Sequence, residues 1–455
     1  MLLRHAMGGC RLHQLRKLRN LQRNRDRLQL SLEKTFRLLR CSRVAWYAHH
    51  MTDGASADER GKVARDSSAT PATLDKVAAR ASLPIRGFEM VAIRVPLGRV
   101  YRGSNYLMTH RSTVILRVVG DDGVIGECYV GDEDEALGTI VRIVREEIAP
   151  HLIGQDAFAI ERCWELARPA TFNILRDRRV GLVACAAVDT VLWDVIGRAL
   201  GQPLWRLWGG YTDRLPVICA GGYYGTEQSI EEEIGQLREK GFHGIKFKVG
   251  GLSPEEDARR VIRARQAAGP EFTIMVDANQ AWQPLEAIRF AQLAREAEIH
   301  WFEEPCRWEN DHRAMRDVRL SAGIPVCAGQ TEFSAAGCRD LMEVGAIDYC
   351  NFDASWSGGP TEWRRVASMA TVFNVQMAHH EEPQVAAHLL ASIPHGTFLE
   401  TFHPDRDPIW WNLVVNRPRL DQGFVTLSED PGLGWELDED YIERHRLSDD
   451  ELVRW

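Results

Sequence analysis

Ionisable side chains recur at the ends of short apolar runs through the second half of this chain. Lys246 and Lys248 flank Phe247, Asp277 precedes Ala278 and Asn279, and Glu303 and Glu304 precede Pro305. Gln330, Thr331 and Glu332 follow Gly329, and Asp353, the pair His379 and His380, and Glu400 complete the series. Lys246 and Lys248 alternate, so on a strand both side chains share one face. Two ammonium groups so close disfavour each other's charge, which is expected to bring a lysine toward the range of a base working near neutrality. Asp277 and Glu303 stand 26 residues apart, the length of one strand plus one helix, so adjacent strands would bring the carboxylates together. Hard oxygen ligands of this kind, completed by water and substrate oxygens, suit Mg2+; structural ion pairs with the two lysines are the alternative.

Such side chains need elements that aim them at one point. From Leu215 onward the sequence alternates short apolar runs with helical segments. Eight candidate strands cover 216–220, 245–249, 273–277, 300–303, 325–328, 349–352, 375–378 and 398–401. Most are near-continuous apolar runs, as strands covered on both faces should be. Eight such units in about 190 residues predict a (β/α)8 TIM-type barrel rather than an open sheet. Barrel enzymes carry their chemistry at the C-terminal strand ends, and here seven consecutive ends, from strand two to strand eight, carry ionisable groups.

Before the barrel, β-like runs at 88–95, 113–119 and 124–130 precede helical segments at 135–147, 160–167 and 180–200, the last stopped by Gly201 and Pro203. This predicts an N-terminal α+β capping domain. Its candidate loops over the barrel mouth are 97–110 and 171–179; the second carries Asn173, Arg176, Arg178 and Arg179, which would suit an anionic substrate. The acidic cluster Asp132, Glu133, Asp134 and Glu135 reads as solvated surface.

The 455 residues are 45% hydrophobic and 26% charged with a net charge of −8, ample for large cores. Residues 1–50 carry +10, leaving −18 on the remainder. An acidic body argues against nucleic-acid or membrane-surface partners, which need concentrated positive charge. The longest apolar stretch, near 180–197, is interrupted by Asp189 and Asp194, so no membrane span is expected. Ten scattered cysteines without CxxC spacing fit a reducing, cytoplasmic compartment. Residues 1–84 read as an extension: a transit peptide, a disordered tail, or an over-extended start with Met51 as initiator.

Lys246-x-Lys248, Asp277-Ala278-Asn279, Glu303-Glu304-Pro305, Asp353, His380 and Glu400, following Trp193-Asp194-Val195-Ile196-Gly197-Arg198-Ala199-Leu200-Gly201-Gln202-Pro203-Leu204, resemble the mandelate racemase/muconate lactonizing enzyme family of the enolase superfamily. The resemblance runs from about Ile85 to the C-terminus, and Asp353 with His380 resembles the mandelate racemase subgroup. It implies a capping domain at 85–212, a barrel at 213–405 and a segment at 406–455 returning to the cap. It implies Mg2+ on Asp277 and Glu303, and a proton α to a carboxylate passing to Lys248 on one face or His380 on the other. Asp353 would fix the tautomer of His380, Glu400 would share a proton with the ene-diolate, and Lys246 would neutralise the substrate carboxylate. The family register favours His380 over His379, and His388 reads as a core histidine. One position departs: the family places a glutamate after the glycine ending strand five, where this chain has Gln330, so Gln330 or Glu332 would complete the metal site. The implied reaction is dehydration of an acid sugar. A racemase or epimerase would use the same two bases, and a barrel without catalysis, serving binding or assembly, is the reading Gln330 motivates. A small carboxylate partner and a homo-oligomer are expected.

Overall fold

The computed structural model describes residues 82–131 and 135–452, all within the unit Pro71–Trp455. The expectations for the N-terminal extension and for Asp132, Glu133 and Asp134 lie outside the described residues.

Three antiparallel strands open the cap: β1 (Ile85–Arg102), β2 (Leu107–Gly120) and β3 (Ile125–Tyr129), in that order. Against them pack α1 (Leu137–Ile143) and α3 (Arg178–Leu200), with α2 (Ile160–Ala167) packed on α3. The expected loop 97–110 is instead mostly hairpin. Register resumes at Tyr101↔Met108 after an irregularity beyond Pro96, leaving only residues 103–106 as the turn. Val100, Tyr101 and Thr109 are side chains that suit an extended pleat.

Helix α3 is long and apolar enough to cross a membrane, yet 83% of its apolar window is buried within the protein. The two aspartates that interrupt it are the reason it belongs in this core. Asp194 accepts from the backbone N–H of Glu127 at 2.7 Å, that of Leu433 at 2.6 Å, and Arg198 Nε at 2.6 Å. Asp189 accepts from Thr361 N and Oγ1, both at 2.8 Å. Each aspartate therefore clips the helix to another element, and without those donors its burial would cost several kcal/mol. Approach to the C-terminal segment is close: a Cβ on Gly197 would lie 2.6 Å from Gly432 Cα.

The barrel contains β4 (Arg214–Gly221), β5 (Gly244–Lys248), β6 (Thr273–Asp277), β7 (Phe302–Glu303), β8 (Val326–Ala328), β9 (Tyr349–Cys350), β10 (Gln376–Met377) and β11 (Leu399–Phe402). All pair in parallel in chain order, β11 returns to β4, and a Met377↔Gly396 bridge links the seventh strand to the approach of the eighth. Seven helices connect them: α4 (Ile230–Glu239), α5 (Pro254–Ala268), α6 (Pro284–Leu293), α7 (Asp311–Ala322), α8 (Ala335–Glu343), α9 (Pro360–Phe373) and α10 (Pro383–Ala391). Local chemistry starts them, as in the reciprocal capping boxes of Ser229 with Glu232 and Ser253 with Glu256. Beyond the barrel, β12 (Phe424–Thr426) pairs antiparallel with β4, and α11 (Glu439–His445) packs on β1.

Strand alternation sorts the side chains. Ile245, Phe247, Ile274 and Val276 belong to the core under the helices, whereas Met275, with Ile218, Trp301, Cys327 and Ala378, forms a small separate cluster inside the ring. Lys246 and Lys248 on β5, and Asp277 on β6, occupy the same inward phase as Met275. Above that apolar floor the barrel therefore presents charge.

Candidate active site

Register brings the first three groups into line: Lys248 is opposite Asp277, and Asp277 opposite Glu303, on three neighbouring strands. Lys248 Nζ donates to Asp277 Oδ2 at 2.6 Å. Lys246 Nζ lies 2.8 Å from carboxylate oxygens of both Glu303 and Glu400, and 3.6 Å from Asp277. All five residues are buried.

This geometry reverses the expectation for the lysines. Burial pushes both ammonium groups down, but the carboxylates around them override it: Glu303, Glu400 and Asp277 raise Lys246, and Asp277 raises Lys248. The neighbouring ammonium is a lesser influence on Lys248 than Asp277, because the carboxylate is in hydrogen-bond contact. Asp277 is correspondingly lowered against its own burial by Lys248 and Lys246. Glu303 is raised, by burial and then by Asp277 and Glu400, although Lys246 touches it. There is more carboxylate than two ammonium groups can balance.

Glu304 adds to that excess. It is fully buried, held by Thr331 Oγ1 at 3.2 Å, and pushed up to about 8 by burial and then by Asp277 and Glu303. Asn279 donates to Asp277 through its backbone N–H at 2.8 Å and its Nδ2 at 3.1 Å, while its Oδ1 is buried without a hydrogen-bond partner. The segment therefore serves both as a turn, with Asn279 at φ 44°, and as a brace on Asp277.

The two residues after strand five part company. Gln330 lines the mouth, its Oε1 accepting from Asn351 Nδ2 at 2.9 Å and its N–H donating to Asn351 Oδ1 at 3.2 Å. Glu332 does not join it. Its N–H turns back to Gly329 O at 3.0 Å, so the chain is not extended there, and its Oε1 meets His312 Nε2 at 2.8 Å. Glu332 instead forms a partly buried cluster with Asp311 and His312, whose potential ligand atoms lie within 4.8 Å of one another.

On the seventh strand end, His380 Nδ1 meets Asp353 Oδ2 at 2.9 Å. The other oxygen of Asp353 accepts from Ser355 N at 2.8 Å, Ser355 Oγ at 2.6 Å and Trp356 N at 3.2 Å. Burial opposes charge on His380, but Glu381, Asp353 and Glu400 outweigh it and raise the imidazole to about 9. His379 is occupied elsewhere: its Nε2 accepts from Ala354 N at 3.1 Å and its Nδ1 donates to His380 O at 2.8 Å. His388 is buried between Trp205 N and Leu433 O, and burial lowers it to about 4.

A cavity of about 310 Å3 is lined by Lys248, Asn279, Gln330, Trp356, His380 and, from the cap hairpin, Tyr106. Lys248 comes from the second strand and His380 from the seventh, so they face one another across the mouth. Glu381 and Arg406 also reach this cavity. Tyr106 falls within the segment 97–110 expected over the mouth, whereas Glu381 and Arg406 lie in connections beyond any strand pattern, and Glu304 has no role that its place beside Glu303 in the sequence reveals. The arginines of 171–179 do not reach it. Arg176 pairs with Glu147 at 2.7 Å, Arg178 lines a separate cavity of about 430 Å3, and Arg179 stacks on Trp356 at 4.7 Å.

Comparison with known proteins matches residues 94–209 to the mandelate racemase/muconate lactonizing enzyme N-terminal domain and residues 229–441 to the enolase C-terminal domain-like family. A mandelate racemase/muconate lactonizing enzyme from a marine actinobacterium, crystallised with magnesium, is 57% identical with TM-score 0.77, covering 80% of this chain and 100% of that one. The D-galactarolactone cycloisomerase of Agrobacterium fabrum is 29% identical over 77% of this chain and 95% of its own length. The L-talarate/galactarate dehydratase of Salmonella typhimurium is 28% identical over 77% of this chain and 87% of its own length.

Proposed function

Because the chain belongs to the mandelate racemase/muconate lactonizing enzyme family of the enolase superfamily, we propose that it dehydrates an acid sugar, removing the proton α to the carboxylate and expelling the β-hydroxyl as water. The observation that carries this reading is Lys248 and a charged His380 facing each other across one cavity. Lys248 takes the α-proton, and the electron pair of the broken C–H bond passes into the carboxylate to form an enediolate. Lys246, braced between Glu303 and Glu400, sets positive charge beneath that carboxylate. His380, as imidazolium, gives its Nε2 proton to the departing hydroxyl, so the C–O bond breaks and water leaves. The enol that remains tautomerises to a 2-keto-3-deoxy acid.

The donor set fits Mg2+. Four carboxyl groups, Asp277, Glu303, Glu304 and Glu400, crowd two ammonium groups, the crowding and burial raise Glu303 and Glu304, and Asn279 Oδ1 is a buried acceptor with no donor. Asp277 and Glu303 would hold the ion, with Gln330 supplying a neutral oxygen in place of a carboxylate. Bound there, Mg2+ would take up the carboxylate charge that now holds Lys248 and balance the charge developing on the substrate. The eight cysteines among the described residues are all unpaired and buried, which accords with a cytoplasmic setting.

The test is a panel of acid sugars with Mg2+ in D2O, followed by α-deuterium incorporation and by semicarbazide trapping of keto acid. Keto acid from at least one member is expected. Labelled acid with inverted configuration and no keto acid would establish epimerisation instead, and neither signal with any member would refute the reading.

A further inference from the structure

Glu381 follows His380 directly, yet no pattern in the sequence singles it out. Its backbone lies in the left-handed region at φ 49°, and that of Glu382 at φ 43°. Non-glycine residues hold such conformations only where their surroundings over-determine them. Five of the eight non-glycine residues with positive φ among the described residues stand just past barrel strands: Asn279, Gln280, Glu304, Glu381 and Glu382. At this loop the constraint is visible. Arg111, from cap strand β2, donates through Nη2 to Glu382 Oε1 at 2.6 Å and through Nε to Asp407 Oδ1 at 3.2 Å, and Pro383 opens α10.

The twist turns the Glu381 carboxylate into the cavity rather than toward solvent. Its Oε1 stands 3.6 Å from His380 Nε2 and 3.8 Å from Arg406 Nη2, and its Oε2 stands 3.9 Å from Arg111 Nη1. Nε2 is the ring nitrogen that Asp353 does not take, and so the one that delivers a proton to a bound substrate. His380 thus has a carboxylate at each nitrogen, a different arrangement from an imidazole with one acidic partner.

We propose that Glu381 is a positioning residue: resting on the dehydratase reading above, it holds His380 as an imidazolium with its Nε2 proton aimed into the cavity, so that His380 acts as the acid that expels the hydroxyl. The groups facing His380 are Asp353 after β9, Glu381 on its own loop, Glu400 on β11 and the adjoining His379, with Lys248 across the cavity; Arg406 and Arg111 face Glu381. Asp353 alone fixes the tautomer. The second carboxylate is what favours the doubly protonated ring.

The experiment compares the intact enzyme with Glu381→Gln and Glu381→Asp, reading keto acid formation and α-deuterium exchange in parallel from pH 6 to 10, together with the His380 titration by NMR. In Glu381→Gln the ratio of elimination to exchange is expected to fall about fivefold at pH 9, with the upper pH limb and the His380 midpoint both moving down by about one unit. Glu381→Asp should restore the limb. An unchanged ratio and profile in Glu381→Gln, or an equal loss of elimination and exchange with the His380 midpoint in place, would overturn the proposal. If the wild-type enzyme forms no keto acid, the dehydratase reading fails by itself. The NMR midpoint then decides on Glu381, an unmoved value overturning its role and a lowered one supporting it.

Discussion

Substituting Asp353→Asn preserves shape at the base of the imidazole while removing its charge, and the surroundings dictate how the new amide sits. Ser355 N, Ser355 Oγ and Trp356 N all donate to Oδ1 of the native carboxylate. The amide oxygen must take that side, which turns the NH2 group toward His380 Nδ1. The ring then has to accept at Nδ1, and protonating it there would set two donors against each other. With Glu381 and Glu400 still facing the ring, His380 is expected to fall from about 9 by about one unit, so its protonated fraction at pH 8.5 drops from about 76% to about 24%. That alone is about threefold in any step that needs the imidazolium. The neutral tautomer this leaves keeps its proton on Nε2 but is a far weaker acid than the imidazolium, and the loss of general acid catalysis is typically about 10² to 10⁴. Keto acid formation should therefore fall by at least about 100-fold, with the upper pH limb shifted down, while α-deuterium exchange through Lys248 persists. Following both signals in D2O between pH 6 and 10 checks this. Elimination within threefold of wild type with the same pH profile would show that Asp353 does not govern His380 and would sink the argument.

Lys248→Ala should abolish α-deuterium exchange, leaving less than about 1% of the wild-type rate while circular dichroism is unchanged; exchange at the wild-type rate would place the base elsewhere. Gln330→Glu should tighten Mg2+ binding about tenfold through the added ligand charge, whereas Glu332→Gln should leave it unaltered because that carboxylate faces His312; calorimetry distinguishes them, and the opposite ranking would restore Glu332 as a ligand. His388 has a folded pKa of about 4, below its unfolded 6.5. The unfolded chain therefore binds the extra proton between these values, and stability is lost as pH falls from 6.5 toward 4. The advantage of wild type over His388→Gln in denaturant unfolding should shrink by about 2 kcal/mol from pH 7 to pH 5, and a constant difference would contradict the buried neutral histidine.

Short-range regularities carried most of the fold. Period-two alternation predicts that Lys246 and Lys248 share a face, and the 26-residue step predicts that Asp277 and Glu303 meet; both follow from strand pleat and unit length, which depend on neighbours in sequence. The same logic fails one residue past a strand. An extended chain would have put Glu332 beside Gln330, but the turn onto Gly329 O sends it to His312. Residues 97–110 read as a loop but form mostly hairpin for a similar reason, since pairing between β1 and β2 is set by the partner strand as well as by local preference.

Charge was the least legible property. From sequence Lys248 has one obvious neighbour, another lysine, and its pKa should fall; in the barrel Asp277, 29 residues away, touches it and the direction reverses. Glu381 became visible only because Arg111, 271 residues from Glu382, holds the loop in a strained turn. The type and order of the groups along the strands are legible in the residues alone, because side-chain periodicity is local. Which of those groups stay charged and where each proton sits follow only from the fold, because Coulomb interactions and burial depend on distance in space.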